Sequence, residues 1–120
     1  AVNRVVPSKE VAMNQVRITV AKRAIHEDLI DKYVATERFP NGFGLCNRFV
    51  EGQSYLVDWP SKPDGFPCDW AWADIQRAVA MIQFGANPPW VNQPGTTIIC
   101  CNDGLRPVTF VVERVEGDAT

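Results

Sequence analysis

The sequence predicts an α+β domain, a small, mostly antiparallel sheet covered by one long helix and one short helix. Three observations predict it. Val16, Ile18 and Val20 alternate with Arg17 and Thr19, the period of a half-buried strand. Trp72, Ile75, Ala78, Val79 and Ile82 recur at helical spacing and form one apolar stripe that must lie on a sheet. Thr96 to Cys101 and Val108 to Val115 are apolar runs on either side of a turn at Asn102-Asp103-Gly104.

In chain order, residues 1–14 carry Pro7 and charges without a period and read as an N-terminal arm. A single domain follows over 15–117, with a tail at 118–120. After the strand at Val16–Ala21, Ile25 to Val34 reads as the short helix, with Glu27 and Asp28 near its positive end. A loop, Phe39-Pro40-Asn41-Gly42-Phe43-Gly44, delivers Cys46. Gln53 to Val57 is a second strand, entered through the turn Glu51-Gly52. Pro60, Pro63, Gly65 and Pro67 make the next segment a loop. The long helix spans Trp70 to Phe84, with Asp69 as its expected N-cap and Gly85 as its left-handed C-terminal residue. Asn87-Pro88-Pro89-Trp90 to Pro94-Gly95 is again loop, and the final two strands close the chain.

Composition narrows the function. An apolar share of 46%, a charged share of 22% and a net charge of −2 are ordinary for a soluble globular domain. They give no long-range attraction for nucleic acid or anionic lipid, and no apolar run is long enough to span a membrane. Four cysteines without a C-x-x-C pair point to free thiols or metal thiolates in a reducing, cytoplasmic compartment. No H-E-x-x-H helix, glycine-rich phosphate loop or Ser-His-Asp triad is present. His26, the only histidine, stands beside Glu27 and Asp28 and reads as a solvated residue.

Sulfur is therefore where chemistry is expected. Cys100 and Cys101 are adjacent on a strand, so their side chains point to opposite faces. Cys68 precedes the long helix, where unpaired N–H groups and partial positive charge favour an anion, although Asp69 opposes this. A buried Cys anchoring the helix start is the plainer reading of the same residue. Asp103 and Arg106 follow the cysteine pair, and the arginine fork suits an anionic group. If the helix runs antiparallel to Thr96–Cys101, Cys68 and Cys101 share one edge of the sheet. The candidate catalytic residues are thus Cys68, Cys101, Asp103 and Arg106, with a thiol as nucleophile or acid/base. Cys46, Cys68, Cys100 and Cys101 are the candidate ligands should zinc or another thiophilic metal be the cofactor, although the spacing does not match a zinc ribbon. The alternative is a non-catalytic oligomeric or subunit module whose cysteines only pack. Trp59, Trp70 and Trp90, off the helix stripe, suit a homo-oligomer contact or a small-molecule pocket.

The strings Cys68-Asp69-Trp70-Ala71-Trp72-Ala73-Asp74-Ile75, Phe84-Gly85-Ala86-Asn87 with Trp90, and Cys100-Cys101-Asn102-Asp103-Gly104-Leu105-Arg106-Pro107-Val108 resemble a family of short, uncharacterised bacterial, archaeal and fungal "repeat proteins". The resemblance runs from about Val16 to about Glu116. It implies a small compact domain with Cys46, Cys68, Cys100 and Cys101 on family cysteine positions, and it implies no particular activity, substrate or cofactor.

Overall fold

Four strands and two helices build the domain in the computed structural model, which describes residues 14–115. The expected tail at 118–120, and the expected arm apart from Asn14, lie outside the described residues. The elements are β1 (Val16–Arg23), α1 (Glu27–Tyr33), β2 (Ser54–Val57), α2 (Asp69–Gln83), β3 (Thr96–Cys100) and β4 (Val108–Arg114), with a single 3-10 turn at Thr36–Arg38. The sheet order is β2-β1-β4-β3 and every pairing is antiparallel. The expected α+β fold is therefore present, with strand and helix bounds shifted by one or two residues.

Alternation decides which face of the sheet is covered. Val16, Ile18 and Val20 from β1 and Val108, Phe110 and Val112 from β4 are all buried. They meet Ala71, Ile75, Val79 and Ile82 from α2, so the helix stripe and the sheet share one core. Trp72, expected in the stripe, is only half-buried and packs at its border, while Ala71 takes the central position.

A bulge at Ala21 changes the direction of the side chains that follow. Val20 pairs with Phe110 and Lys22 with Thr109, leaving Ala21 unopposed. Arg23 then pairs with Val108, so it shares the inner face of the sheet with a core residue. Its Nη1 donates to the Cys46 carbonyl at 2.8 Å and its Nε to Glu51 at 2.9 Å. The hydrogen bond from Arg23 holds the Glu51 carboxyl below its usual range.

Both ends of α2 are fixed. At the C-terminal end Gly85 takes φ +108, its N–H donates to Ile82 O at 3.1 Å, and the Ala86 N–H donates to Met81 O at 3.0 Å. These two bonds satisfy carbonyls that the helix leaves open. Arg114, at the end of β4, donates through Nη1 to Ile82 O at 2.9 Å and Ala86 O at 2.8 Å, and through Nη2 to Asn87 Oδ1. A cation there also meets the negative end of the helix dipole. Asn87 Oδ1 accepts the Gly95 N–H at 2.8 Å, and the Arg114 N–H donates to Gly95 O at 2.8 Å. Gly95 has φ +66, and a Cβ there would lie 2.7 Å from the Arg114 guanidinium carbon.

Arg114 and Gly95 form one clamp, and replacing either should destabilise the domain. Arg114→Met removes charge-assisted bonds to carbonyls and should cost about 2 kcal/mol. Gly95→Ala should cost at least about 1 kcal/mol through backbone strain and displacement of the guanidinium. Urea melts should show lower midpoints with unchanged slopes, and the double variant should lose less than the sum.

Candidate functional site

Three loops meet at the N-terminal end of α2, and each is held by a buried anchor. Phe49, fully buried, sits 5.1 Å from Phe110 and 5.4 Å from Phe66 between ring centroids. It fixes the loop that carries Cys46 and Arg48. Phe66, also buried, contacts Trp72 at 5.9 Å and fixes the segment that leads into Cys68. The third loop joins β3 to β4. The Ala24 and His26 N–H groups donate to Pro107 O and Leu105 O at 2.9 and 2.8 Å, which ties this loop to the entry of α1.

Between the loops lies a cavity of about 280 Å³. Cys46, Cys68 and Cys101 line it together with Arg48, Arg106, Asp74 and Asp103, and Phe49, Ala71, Val108, Trp70 and Asn102 complete the wall. All four expected catalytic candidates, Cys68, Cys101, Asp103 and Arg106, thus face one cavity. The reason is the lay of the helix. The C-terminal end of α2 meets Arg114, whose chain neighbour Glu113 pairs with Thr96 at the start of β3. The N-terminal end meets the far end of β3, where the Asn102 N–H donates to Asp74 Oδ2 at 2.9 Å. The helix and β3 are therefore antiparallel.

Two sulfurs are held by the backbone. Cys68 is the residue that caps α2, and its Sγ accepts the Ala71 N–H at 3.4 Å. The expectation that Asp69 caps the helix is corrected: Asp69 is the first helical residue, and its carboxylate pairs with Lys62 instead, which holds it below the usual carboxylate range. Cys101 donates its N–H to Val108 O at 3.0 Å and its Sγ accepts the Val108 N–H at 3.4 Å.

Arg106 is positioned by two contacts. Its Nε donates to Asp103 Oδ2 at 3.4 Å, and its guanidinium lies 4.5 Å from the centre of the Phe43 ring. Asp103 Oδ1 also accepts the N–H groups of Leu105 and Arg106 at 2.9 and 3.0 Å. Burial alone would raise the Asp103 pKa. The two backbone N–H groups and the Arg106 guanidinium outweigh it and hold the carboxyl below its usual range.

The four-cysteine metal set is not assembled. Among the described residues no group of three or more His, Cys, Asp or Glu side chains is arranged to hold a metal ion. Cys100 is exposed and takes no part in the cavity, because neighbouring strand residues point to opposite faces. All four cysteines are unpaired. Sequence reasoning missed Arg48 and Asp74 as cavity residues. Asp74 is three residues on from Ala71, one helical turn along the same side, and Arg48 is two residues on from Cys46, so spacing from a candidate cysteine or its neighbour was the available signal.

Trp70 stands at the rim of the cavity and is 84% exposed. Trp59 and Trp90 are exposed elsewhere on the surface. Among the described residues no helix is long and apolar enough to cross a membrane. No protein-family model, curated protein or solved structure matches the chain at a significant level.

If the Cys68 sulfur caps α2, serine should replace it well, because Ser is a strong N-cap, whereas alanine leaves the Ala71 N–H without its acceptor. Cys68→Ala should lower stability by about 1 kcal/mol, and Cys68→Ser should fall well short of that loss. Chemical denaturation of the two variants checks the order.

Proposed function

We propose that the domain is a thiol-centred site that acts on a small anionic molecule. The observation that carries this reading is the convergence of three half-buried thiols and two arginines on one small cavity. Both cavity carboxylates are engaged by this chain: Asp103 accepts from Leu105 and Arg106, and Asp74 accepts from Asn102. The guanidinium groups of Arg48 and Arg106 keep N–H groups without an acceptor among the described residues, so the cavity offers free donors beside its two carboxylates. A carboxylate or similar anion suits those guanidinium donors. Free thiols fit a reducing, cytoplasmic setting.

The test uses Cys100 as an internal reference, since it is exposed and outside the cavity. Native protein is treated with neutral iodoacetamide and each cysteine peptide is followed by mass spectrometry. Cys101 should react at least as fast as Cys100 despite its partial burial. Uniformly slow modification of Cys46, Cys68 and Cys101 would assign the cavity cysteines to packing alone.

A second reading is self-association, favoured by the exposure of Trp59 (62%) and Trp90 (79%). Light scattering should then give a mass above the 13.4 kDa of one chain. A monomer would leave these tryptophans to a different partner.

A further inference from the structure

We propose that the cavity takes a small 2-oxo acid and that Cys101 adds to its carbonyl carbon while Arg106 holds its carboxylate; this rests on the thiol-centred reading above. Cys101 and Arg106 belong to one loop, and that loop fixes both. The backbone N–H and the sulfur of Cys101 are both bonded to Val108, so the thiol has one position across the end of the β3–β4 pair. Arg106 is oriented through Nε by Asp103 and lies against the Phe43 ring. Its two Nη groups have no acceptor among the described residues. A guanidinium presented in this way forks onto a planar carboxylate.

Cys101 and Arg106 line the same small cavity, so a ligand whose carboxylate is held by Arg106 has its next carbon in the space that the sulfur faces. A sulfur nucleophile requires an electrophilic carbon there, which a 2-oxo acid supplies and a simple carboxylic acid does not. Phe49, Ala71, Val108 and the rim residue Trp70 give an apolar wall for the remaining substituent, and a cavity of about 280 Å³ limits that substituent to a few carbons. In the addition step the S–H bond breaks and a C–S bond forms. The carbonyl π pair moves onto oxygen, and that oxygen takes the proton released by the thiol. The product is a thiohemiketal, and no oxidant, leaving group or further reactant is needed.

Cys68 has a different part. Its sulfur is the cap of α2 and accepts the Ala71 N–H, so a substituent on it would disturb the helix start, whereas a substituent on Cys101 would disturb only the Val108 N–H contact at the end of the β3–β4 pair.

Competition on the intact wild-type protein tests the proposal. Iodoacetate modification of Cys101 should proceed about tenfold faster than iodoacetamide modification, the factor of one charge-assisted bond, while exposed Cys100 should show no such preference for the anion. Pyruvate should protect Cys101, and lactate, with the same charge and no carbonyl, should protect it far less. Arg106→Lys, which keeps the charge and loses the fork, should reduce the protection by pyruvate. Equal protection by pyruvate and lactate would overturn the covalent step. Absence of any preference for iodoacetate would overturn recognition by Arg106. A Cys101 that reacts with neither reagent would overturn the thiol-centred reading itself, a failure distinct from the other two.

Discussion

The direction of α2 along the sheet governs everything at the cavity, and the Arg114 guanidinium helps to set that direction. It reaches from the last residue of β4 to the Ile82 and Ala86 carbonyls and to Asn87, which joins the C-terminal end of the helix to the start of β3. Unpaired helix carbonyls are costly when shielded from water, so a cation that accepts this position is strongly preferred over none. The Gly95 backbone makes room for it, at a φ that side chains rarely adopt. With one end of a 15-residue helix fixed there, the other end lies about 20 Å away along the same strand. That is where β3 ends and Cys101 begins the loop.

What gathers at the far end is then a matter of anchoring loops that have little secondary structure of their own. Phe49 and Phe66 are buried in the core alongside Phe110, and each carries its neighbours to the cavity: Cys46 and Arg48 with the first, Cys68 with the second. Aromatic pairs of this kind add specific geometry to burial, which suits loops that must hold a fixed position. The bulge at Ala21 contributes from the opposite side, because it turns Arg23 inward to hold the Cys46 carbonyl. The site is thus a property of the whole fold, although its residues come from three separate loops.

Much of the fold was legible in the sequence because it rests on periodicity. The alternation of Val16, Ile18 and Val20, the α2 stripe at Ile75, Val79 and Ile82, and Gly85 as the left-handed residue after α2 are local signals that tertiary structure did not override. The cap was misjudged for a physical reason. Asp69 has the better capping side chain, yet Lys62, seven residues earlier, binds its carboxylate, and the helix starts one residue sooner, at Asp69 itself, with Cys68 as its cap. Cys68, Cys101, Asp103 and Arg106 line one cavity because α2 runs antiparallel to β3, and spacing in the sequence left that direction open, since the loop after α2 is long enough for either. Arg48 was not legible, because its place depends on Phe49 entering the core from a loop without a period. That Cys100 and Cys101 point to opposite faces was legible from strand alternation, but which of them faces the cavity was not, because that depends on which face of the sheet α2 covers.

The central claim is that the antiparallel lay of α2 brings cysteines from separate loops to one cavity within a single chain. Treatment of the native protein with dibromobimane, which becomes fluorescent when it bridges two nearby thiols, measures this directly. Mass spectrometry of the digested product should show bridges among Cys46, Cys68 and Cys101 within one chain, with Cys100 outside them. Bridges that join Cys100 to a cavity cysteine, or only cysteines of different chains, would contradict the account.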